Sequence, residues 1–269
     1  MRGLTLMCTA SMLLAAAPPE WTRPFPAHRI AGNVYYVGTE DLACYLITDS
    51  QAGHILINSG LAESNRHIRE GVEKLGFRMR DIKVLLTNQA HFDHVAGFAE
   101  LQKWTGAKIY ATEADARLLE TGGAADPSGF TQYAPVKVDR VLKDREAVTV
   151  GKTKLTVHLM PGHSPGSVGY EMTVNGKMLL IANMATVVMR LDNPKYPRIA
   201  DDLRATFARQ KSLKPEIWVA AHGSQFGLAA KHKSGNYEDA SGYAKAVSEY
   251  QTRFEELARK AAYDKGRTR

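Results

Sequence analysis

Six consecutive residues, Gln89-Ala90-His91-Phe92-Asp93-His94, constrain this chain more than any other stretch. They follow the apolar run Val84-Leu85-Leu86 and precede a helical pattern, which puts them where a buried strand ends and its loop begins. His91, Asp93 and His94 supply two imidazoles and a carboxylate within reach of one or two ions, the nitrogen and oxygen set that suits zinc. A polar loop with solvated histidines is the plainer reading, but the density of ligand-type side chains argues against it.

Closing such a site takes further imidazoles, and two more segments supply them. Pro161-Gly162-His163-Ser164-Pro165-Gly166-Ser167 follows the strand-like Leu155-Thr156-Val157-His158-Leu159, so His163 falls on another strand-end loop. Val219-Ala220-Ala221-His222-Gly223 repeats the arrangement after Ile217-Trp218. Three such loops, each at the end of an apolar strand, can converge on one edge of a sheet. His28, His54, His67, His158 and His232 lack a ligand-like neighbourhood; His67 reads as an exposed helix residue and His158 as a strand residue pointing away.

The 269 residues, 44% of them hydrophobic, suffice for one sizeable core, and no repeat or low-complexity tract divides them. The net charge of +7 comes from scattered Lys and Arg without interleaved aromatics, which favours a generally basic surface over a nucleic-acid partner. Arg2, the apolar Leu4 to Leu14 and Ala15-Ala16-Ala17 have the order of an export signal. Residues 1–19 are therefore expected to be removed and 20–269 to form a single domain, exported to the periplasm. The apolar stretch is short for a membrane span, and no other segment approaches that length. Cys44, inside an apolar strand pattern, is then the one thiol left, so no intramolecular disulfide is expected.

Strands are expected over Asn33 to Val37, Cys44 to Thr48, His54 to Asn58, Lys83 to Thr87 and Lys108 to Ala111. Helices are expected over Glu63 to Leu75, Val95 to Trp104 and Thr112 to Glu120. Gly122 to Tyr133 reads as a loop bordering the active site. Strands then dominate from Lys137 to Ala182, with a strong hairpin signal at Asn175-Gly176. A helix over Asp201 to Ser212, a strand over Ile217 to Ala220 and a long amphipathic helix over Ser241 to Ala262 complete the pattern. Two sets of strands interrupted by helices fit an α/β sandwich of two mixed sheets with helices on both outer faces.

These motifs resemble the His-x-His-x-Asp-His signature of the metallo-β-lactamase superfamily, with Gln89 at the place of its first His. Trp21 and Pro24, Asn33-Val34-Tyr35-Tyr36-Val37-Gly38, Tyr45-Leu46-Ile47, Ile55-Leu56-Ile57 and the Pro161 to Ser167 loop extend the likeness to subclass B3, in its Gln-bearing variants. The resemblance implies the αβ/βα four-layer sandwich across the mature chain. It assigns Gln89, His91 and His163 to one zinc and Asp93, His94 and His222 to a second, with one or two ions per chain. It implies hydrolysis of penicillins, cephalosporins or carbapenems by a metal-activated hydroxide that Asp93 orients, and hence antibiotic resistance. Thr186 is the candidate for the substrate carboxylate, and Trp21 either walls the pocket or packs on the core. A monomer with a small-molecule β-lactam substrate, no nucleic acid and no membrane partner is expected.

Two departures stand out. Asn58-Ser59-Gly60 replaces an Asp that the family usually places after the strand, which is expected to alter a supporting hydrogen bond. Lactonases and glyoxalases of the same superfamily bridge their metals with an Asp at a place where this chain has Asn183-Met184. Neither a thioether nor a neutral amide serves as an anionic zinc bridge, so the lactamase branch is favoured over a lactonase- or thioesterase-like hydrolase.

Overall fold

The computed structural model describes residues 17–130 and 132–267. The expected export signal lies mostly outside the described residues. From Pro19 the chain forms two sheets that face each other. The first sheet contains β1 (His28–Ala31), β2 (Val34–Tyr36), β3 (Tyr45–Asp49), β4 (Gly53–Ile57), β5 (Ile82–Leu86), β6 (Lys108–Thr112) and β7 (Arg140–Leu142), in chain order. Its first four strands pair antiparallel, and β4 to β7 run parallel. The second sheet has the order β12-β11-β10-β9-β8, with β8 (Ala147–Val150), β9 (Thr153–Leu159), β10 (Val168–Val174), β11 (Lys177–Ala182) and β12 (Ile217–Ala220). All its pairs are antiparallel except β11 with β12.

The residue pattern explains each sheet. β4 and β5 are nearly continuous apolar runs because parallel strands are covered on both faces. The β10–β11 hairpin turns at Asn175 and Gly176, both at positive φ (51° and 78°), the conformation that an Asn-Gly turn accepts at low cost. Between the parallel strands, and after the second sheet's hairpins, the chain crosses over in helices.

In chain order the helices are α1 (Pro19–Thr22), α2 (Ser64–Lys74), α3 (Phe92–Val95), α4 (Phe98–Thr105), α5 (Glu113–Glu120), α6 (Ile199–Ser212), α7 (Gly223–Phe226), α8 (Leu228–Ser234) and α9 (Ala240–Arg267). Ile68 and Val72 of α2, Phe98 and Leu101 of α4 and Leu118 and Leu119 of α5 cover one face of the first sheet together with Leu46, Leu56 and Leu85. Its other face meets the second sheet through Tyr36, Tyr45, Ile47, Ile55 and Ile57 against Leu155, Val157, Tyr170 and Ile181. Phe207 of α6 and Tyr243, Val247 and Phe254 of α9 close the far side against Trp218 and Leu180. The result is the four-layer sandwich, helix, sheet, sheet, helix. Among the described residues, no helix is long and apolar enough to cross a membrane. Cys44 is buried and free, as its place in the strand pattern implies.

Several local features differ from the pattern read in the sequence. β1 went unforeseen because it is an edge strand with Ile30 as its one buried residue. The helix expected over Val95 to Trp104 is two helices, α3 and α4, parted at Ala96-Gly97. There the backbone meets the amide of Asn65, which donates to Gly97 O at 3.0 Å, and a Cβ on Gly97 would lie 2.2 Å from Asn65 Oδ1. His67, expected exposed, is half-buried on α2.

The end of β5 is tied across both sheets by buried amides. Asn88 Nδ2 donates to Val168 O at 3.0 Å and approaches Ile181 O at 3.4 Å, while Asn88 Oδ1 accepts from Asn58 Nδ2 at 3.1 Å. Asn58, at a positive φ of 65°, in turn accepts from Asn88 N and Thr87 Oγ1 and donates to Ala43 O. Cutting this junction leaves buried polar groups without partners. Asn88→Ala is expected to cost about 2 to 4 kcal/mol of unfolding free energy, read from the urea midpoint of the metal-free protein. A loss below about 0.5 kcal/mol would show that the junction does not hold the sheets together.

Candidate metal centre

The loop after β5 carries the densest ligand set, and α3 is the reason it converges. His91 precedes the first turn, and the helical turn that follows places Asp93 and His94 on the inward side, 7% and 0% exposed. Ser59 N and Oγ both donate to His94 O, at 2.7 and 3.2 Å, so the Asn58-Ser59-Gly60 segment holds the backbone of this turn. His222 arrives from the end of β12. The strap before β3 fixes its backbone, through Ala43 N to Ala221 O at 3.1 Å and Gly223 N to Asp41 O at 2.7 Å.

Asp93, His94 and His222 then bring one donor atom each to a common point. His94 Nε2 lies 3.2 Å from His222 Nε2 and 3.3 Å from Asp93 Oδ2, and His222 Nε2 lies 3.5 Å from the same oxygen. Tetrahedral zinc with ligand bonds near 2.0 to 2.1 Å sets its donors about 3.3 Å apart. The triangle therefore already has the edge lengths that such an ion requires, and the residues fit the group.

His91 and His163 lie beside it, and Gln89 opens the loop that carries His91. The rings of His91 and His163 are 4.9 Å apart, and Asp93 acts electrostatically on both. His163 turns Nδ1 to Thr186, 2.6 Å from Oγ1 and 3.1 Å from the carbonyl, which leaves Nε2 for an ion. His91 turns Nε2 toward Asp126 Oδ2 at 3.5 Å, which leaves Nδ1. Gln89 is 1% exposed and its Oε1 has no hydrogen-bond partner. A buried amide oxygen without a partner costs about 1 to 3 kcal/mol, so a bound ligand is the natural complement.

The electrostatics suit cation binding. Burial pushes His91 down to about 4 and His163 further below the usual imidazole value, so both are neutral and ready to ligate near neutrality. Burial opposes charge on Asp93 as well, but the adjacent His94, with His222 and His91, outweighs it and holds the carboxyl well below its usual range. His222 is raised despite its burial, because Asp41 Oδ2 meets its Nδ1 at 2.8 Å and Asp93 adds a second negative charge.

Asp41 and Asp126 are the supporting residues that reading the sequence missed. Asp41 accepts from Ser224 N at 2.9 Å and from Trp21 Nε1 at 3.2 Å besides meeting His222, an arrangement that sets ring orientation and tautomer. Asp126 is 4% exposed and accepts from Ser128 N at 2.8 Å. Both sit far from the ligands in sequence, in loops with no motif of their own. For Asp126 the signal available was the Gly-rich stretch from Gly122 to Tyr133, which does border the site. Trp21 does reach the pocket, its ring 6.0 Å from His222 and 6.1 Å from Phe92, while Phe130 meets His91 edge-on at 4.9 Å.

The histidines set aside earlier lie in other surroundings. His158 is buried in β9 against Glu171 at 2.7 Å, and His28 contacts Tyr237 and the ring of His232. Asn183 and Met184 supply no carboxylate to the centre. Asn183 Nδ2 approaches Asn88 O at 3.3 Å, and Met184 is wholly buried in the core between and behind the sheets.

Known proteins share this fold. Residues 38–222 match the model of the metallo-beta-lactamase superfamily. The class B3 di-zinc metallo-β-lactamase LRA-12 from an Alaskan soil metagenome is 39% identical, with a TM-score of 0.85 over 90% of this chain and 98% of that one. GOB-18 from Elizabethkingia meningoseptica, a metallo-β-lactamase, is 37% identical, with a TM-score of 0.86 over 91% and 97%. BJP-1, a subclass B3 metallo-β-lactamase of Bradyrhizobium japonicum, is 34% identical, with a TM-score of 0.85 over 91% and 98%. Among curated proteins, the hydroxyacylglutathione hydrolase GloC of Haemophilus influenzae is 28% identical over 209 residues, 72% of this chain and 91% of that protein. With a family model matched over most of the chain and the fold in agreement, the chain belongs to the metallo-beta-lactamase superfamily, with class B3 metallo-β-lactamases among its structural neighbours.

Proposed function

We propose that this chain is a zinc-dependent β-lactamase that opens the ring of penicillins, cephalosporins or carbapenems and so confers antibiotic resistance. The observation that carries this reading is the triangle of Asp93 Oδ2, His94 Nε2 and His222 Nε2, with edges of 3.2 to 3.5 Å, set in a chain whose neighbours over nine-tenths of its length are class B3 enzymes. Asp93, His94 and His222 hold one zinc; Gln89, His91 and His163 hold the other. Bound zinc supplies Lewis acidity and lowers the pKa of water toward neutrality.

The chain's own groups do the rest. Asp93 offers one carboxylate oxygen to the triangle and uses the other to accept a hydrogen bond from water, which orients that water toward the lactam carbonyl. Asp41 keeps His222 Nδ1 occupied, so the ring presents Nε2. Thr186 performs the same service for His163. With the His163 N–H donating, the Thr186 hydroxyl proton stays available for the substrate carboxylate, and the hydroxyl serves both tasks. Trp21, Phe92 and Phe130 form an apolar rim that excludes bulk water from the reacting amide.

Gln89 supplies a neutral amide where an imidazole would bind zinc more tightly, so the two sites fill in order, the Asp93 site first. The chain functions after export as a single domain, residues 20–269, in the periplasm and as a monomer. A second reading, thioester hydrolysis, is favoured by the likeness to GloC. The neutral Asn183-Met184 pair speaks against it, because a bridging carboxylate is missing.

The purified mature chain is expected to hydrolyse all three antibiotic classes, to lose activity in a chelator and to regain it with zinc. Turnover of lactones or S-acyl glutathione exceeding that of every β-lactam would decide for the second reading. Gln89→His is expected to tighten the weaker ion at least about 10-fold, measured by competition with a chromophoric chelator. An unchanged titration would remove Gln89 from the coordination shell. Asp41→Ala is expected to weaken the tighter ion about 10- to 100-fold, because His222 loses the partner that fixes its ring. The same affinity within about twofold would show that ring orientation comes from packing alone.

A further inference from the structure

Beneath the ligand loops lies a buried carboxyl that the mechanism does not use. Asp115 occupies the first turn of α5, where Thr112 caps the helix by accepting from Asp115 N at 3.4 Å. An acidic residue three places after a threonine ordinarily reaches back to the cap in solvent. Here the side chain points inward instead, and the residue is 1% exposed.

What it meets are the two loops that carry the first ligand set. Asp115 Oδ1 accepts from Ser164 Oγ at 3.3 Å, and Ser164 directly follows His163. The backbone N–H groups of Ala90 and Gly166 also act on the carboxyl. Ala90 is the peptide between Gln89 and His91, and its carbonyl is held from the opposite side by Tyr133 Oη at 2.8 Å. Gly166 O accepts from Thr112 Oγ1 at 2.8 Å. Packing is tight at this point, since a Cβ on Gly166 would lie 2.2 Å from Asp115 Oδ1. One oxygen, Oδ2, lacks a hydrogen bond of normal geometry, and Asp126 is an unfavourable negative neighbour. Burial pushes the carboxyl up to about 7. A group this costly to bury, placed between two ligand loops and touching no ligand itself, points to a role in their alignment.

We propose that Asp115 is a positioning residue that locks the Ala90 peptide to the His163 loop, so that Gln89, His91 and His163 act as one preformed ligand set. The proposal rests on the two-ion reading of the centre. It differs from ordinary core packing in one respect: Asp115 governs one ligand set and leaves the other alone. Asp93, His94 and His222 are anchored by Ser59, Asp41 and the Ala43 strap, none of which involves Asp115.

The test is a cobalt titration of the metal-free full-length mature protein, followed by visible absorption and calorimetry, on wild type, Asp115→Ala, Asp115→Asn and Ser164→Ala. Asp115→Ala is expected to weaken the lower-affinity binding event at least about 10-fold and to leave the higher-affinity event within about twofold. Asp115→Asn, which keeps shape and one acceptor, is expected to recover most of that loss. Ser164→Ala, which removes the tie to Asp115 together with the Ser164 Oγ contact to Ser167 Oγ at 2.8 Å, is expected to weaken the same event by a smaller factor. Equal weakening of both events, or none in any variant, overturns the proposal. β-Lactam turnover by wild type separates the two claims. Activity with unaltered variant titrations rejects the role of Asp115 and keeps the functional reading; selective weakening without wild-type turnover does the reverse.

Discussion

The structure depends on keeping a set of ligand-type nitrogen and oxygen atoms close together inside a protein. Imidazole nitrogens 3.2 Å apart, with a carboxylate oxygen between 3.3 and 3.5 Å from each, do not satisfy one another as water would. An amide oxygen buried without a partner adds to that cost. Such an arrangement persists only if each loop is held by bonds that the ligands themselves do not make. The two sheets supply those bonds, and the rest of the fold can be understood as the means of supplying them.

Three kinds of anchor do this. Buried amides, Asn58 and Asn88, join the end of β5 to both sheets, so the loop starting at Gln89 leaves from a fixed point. Backbone contacts between the strap at Asp41 to Ala43 and the end of β12 bring His222 across from the second sheet. Side-chain acceptors, Asp41 for His222 and Thr186 for His163, choose which ring nitrogen faces inward.

Under the proposed two-ion assignment, the neutral amide of Gln89 changes the balance between the two ligand sets rather than their existence. The Asp93 set carries an anionic ligand and an acid-paired histidine, whereas the Gln89 set is formally neutral and sits near the buried acids Asp126 and Asp115.

The candidate ligand side chains were legible in the chain because their chemistry is local. A strand-end loop with His91, Asp93 and His94 in four residues announces itself, and so do Pro-Gly-His163 and Ala-Ala-His222 after apolar runs. Most strands and helices were legible too, since alternation and helical spacing record which face of each element is buried. The edge strand β1, the break at Gly97 and the short helices α7 and α8 were not, because they hold few apolar residues or owe their form to contacts such as Asn65 with Gly97. Asp41, Asp115 and Asp126 were equally silent, since an aspartate in a loop or a helical first turn is ordinarily solvated. The sequence by itself determined the ligand types, the strand ends that bear them and the layered class of the fold. Only the tertiary structure decided which carboxylates turn inward to steady those ligands, because their burial and their partners come from segments as far apart as Asp41 and His222, which no local pattern records.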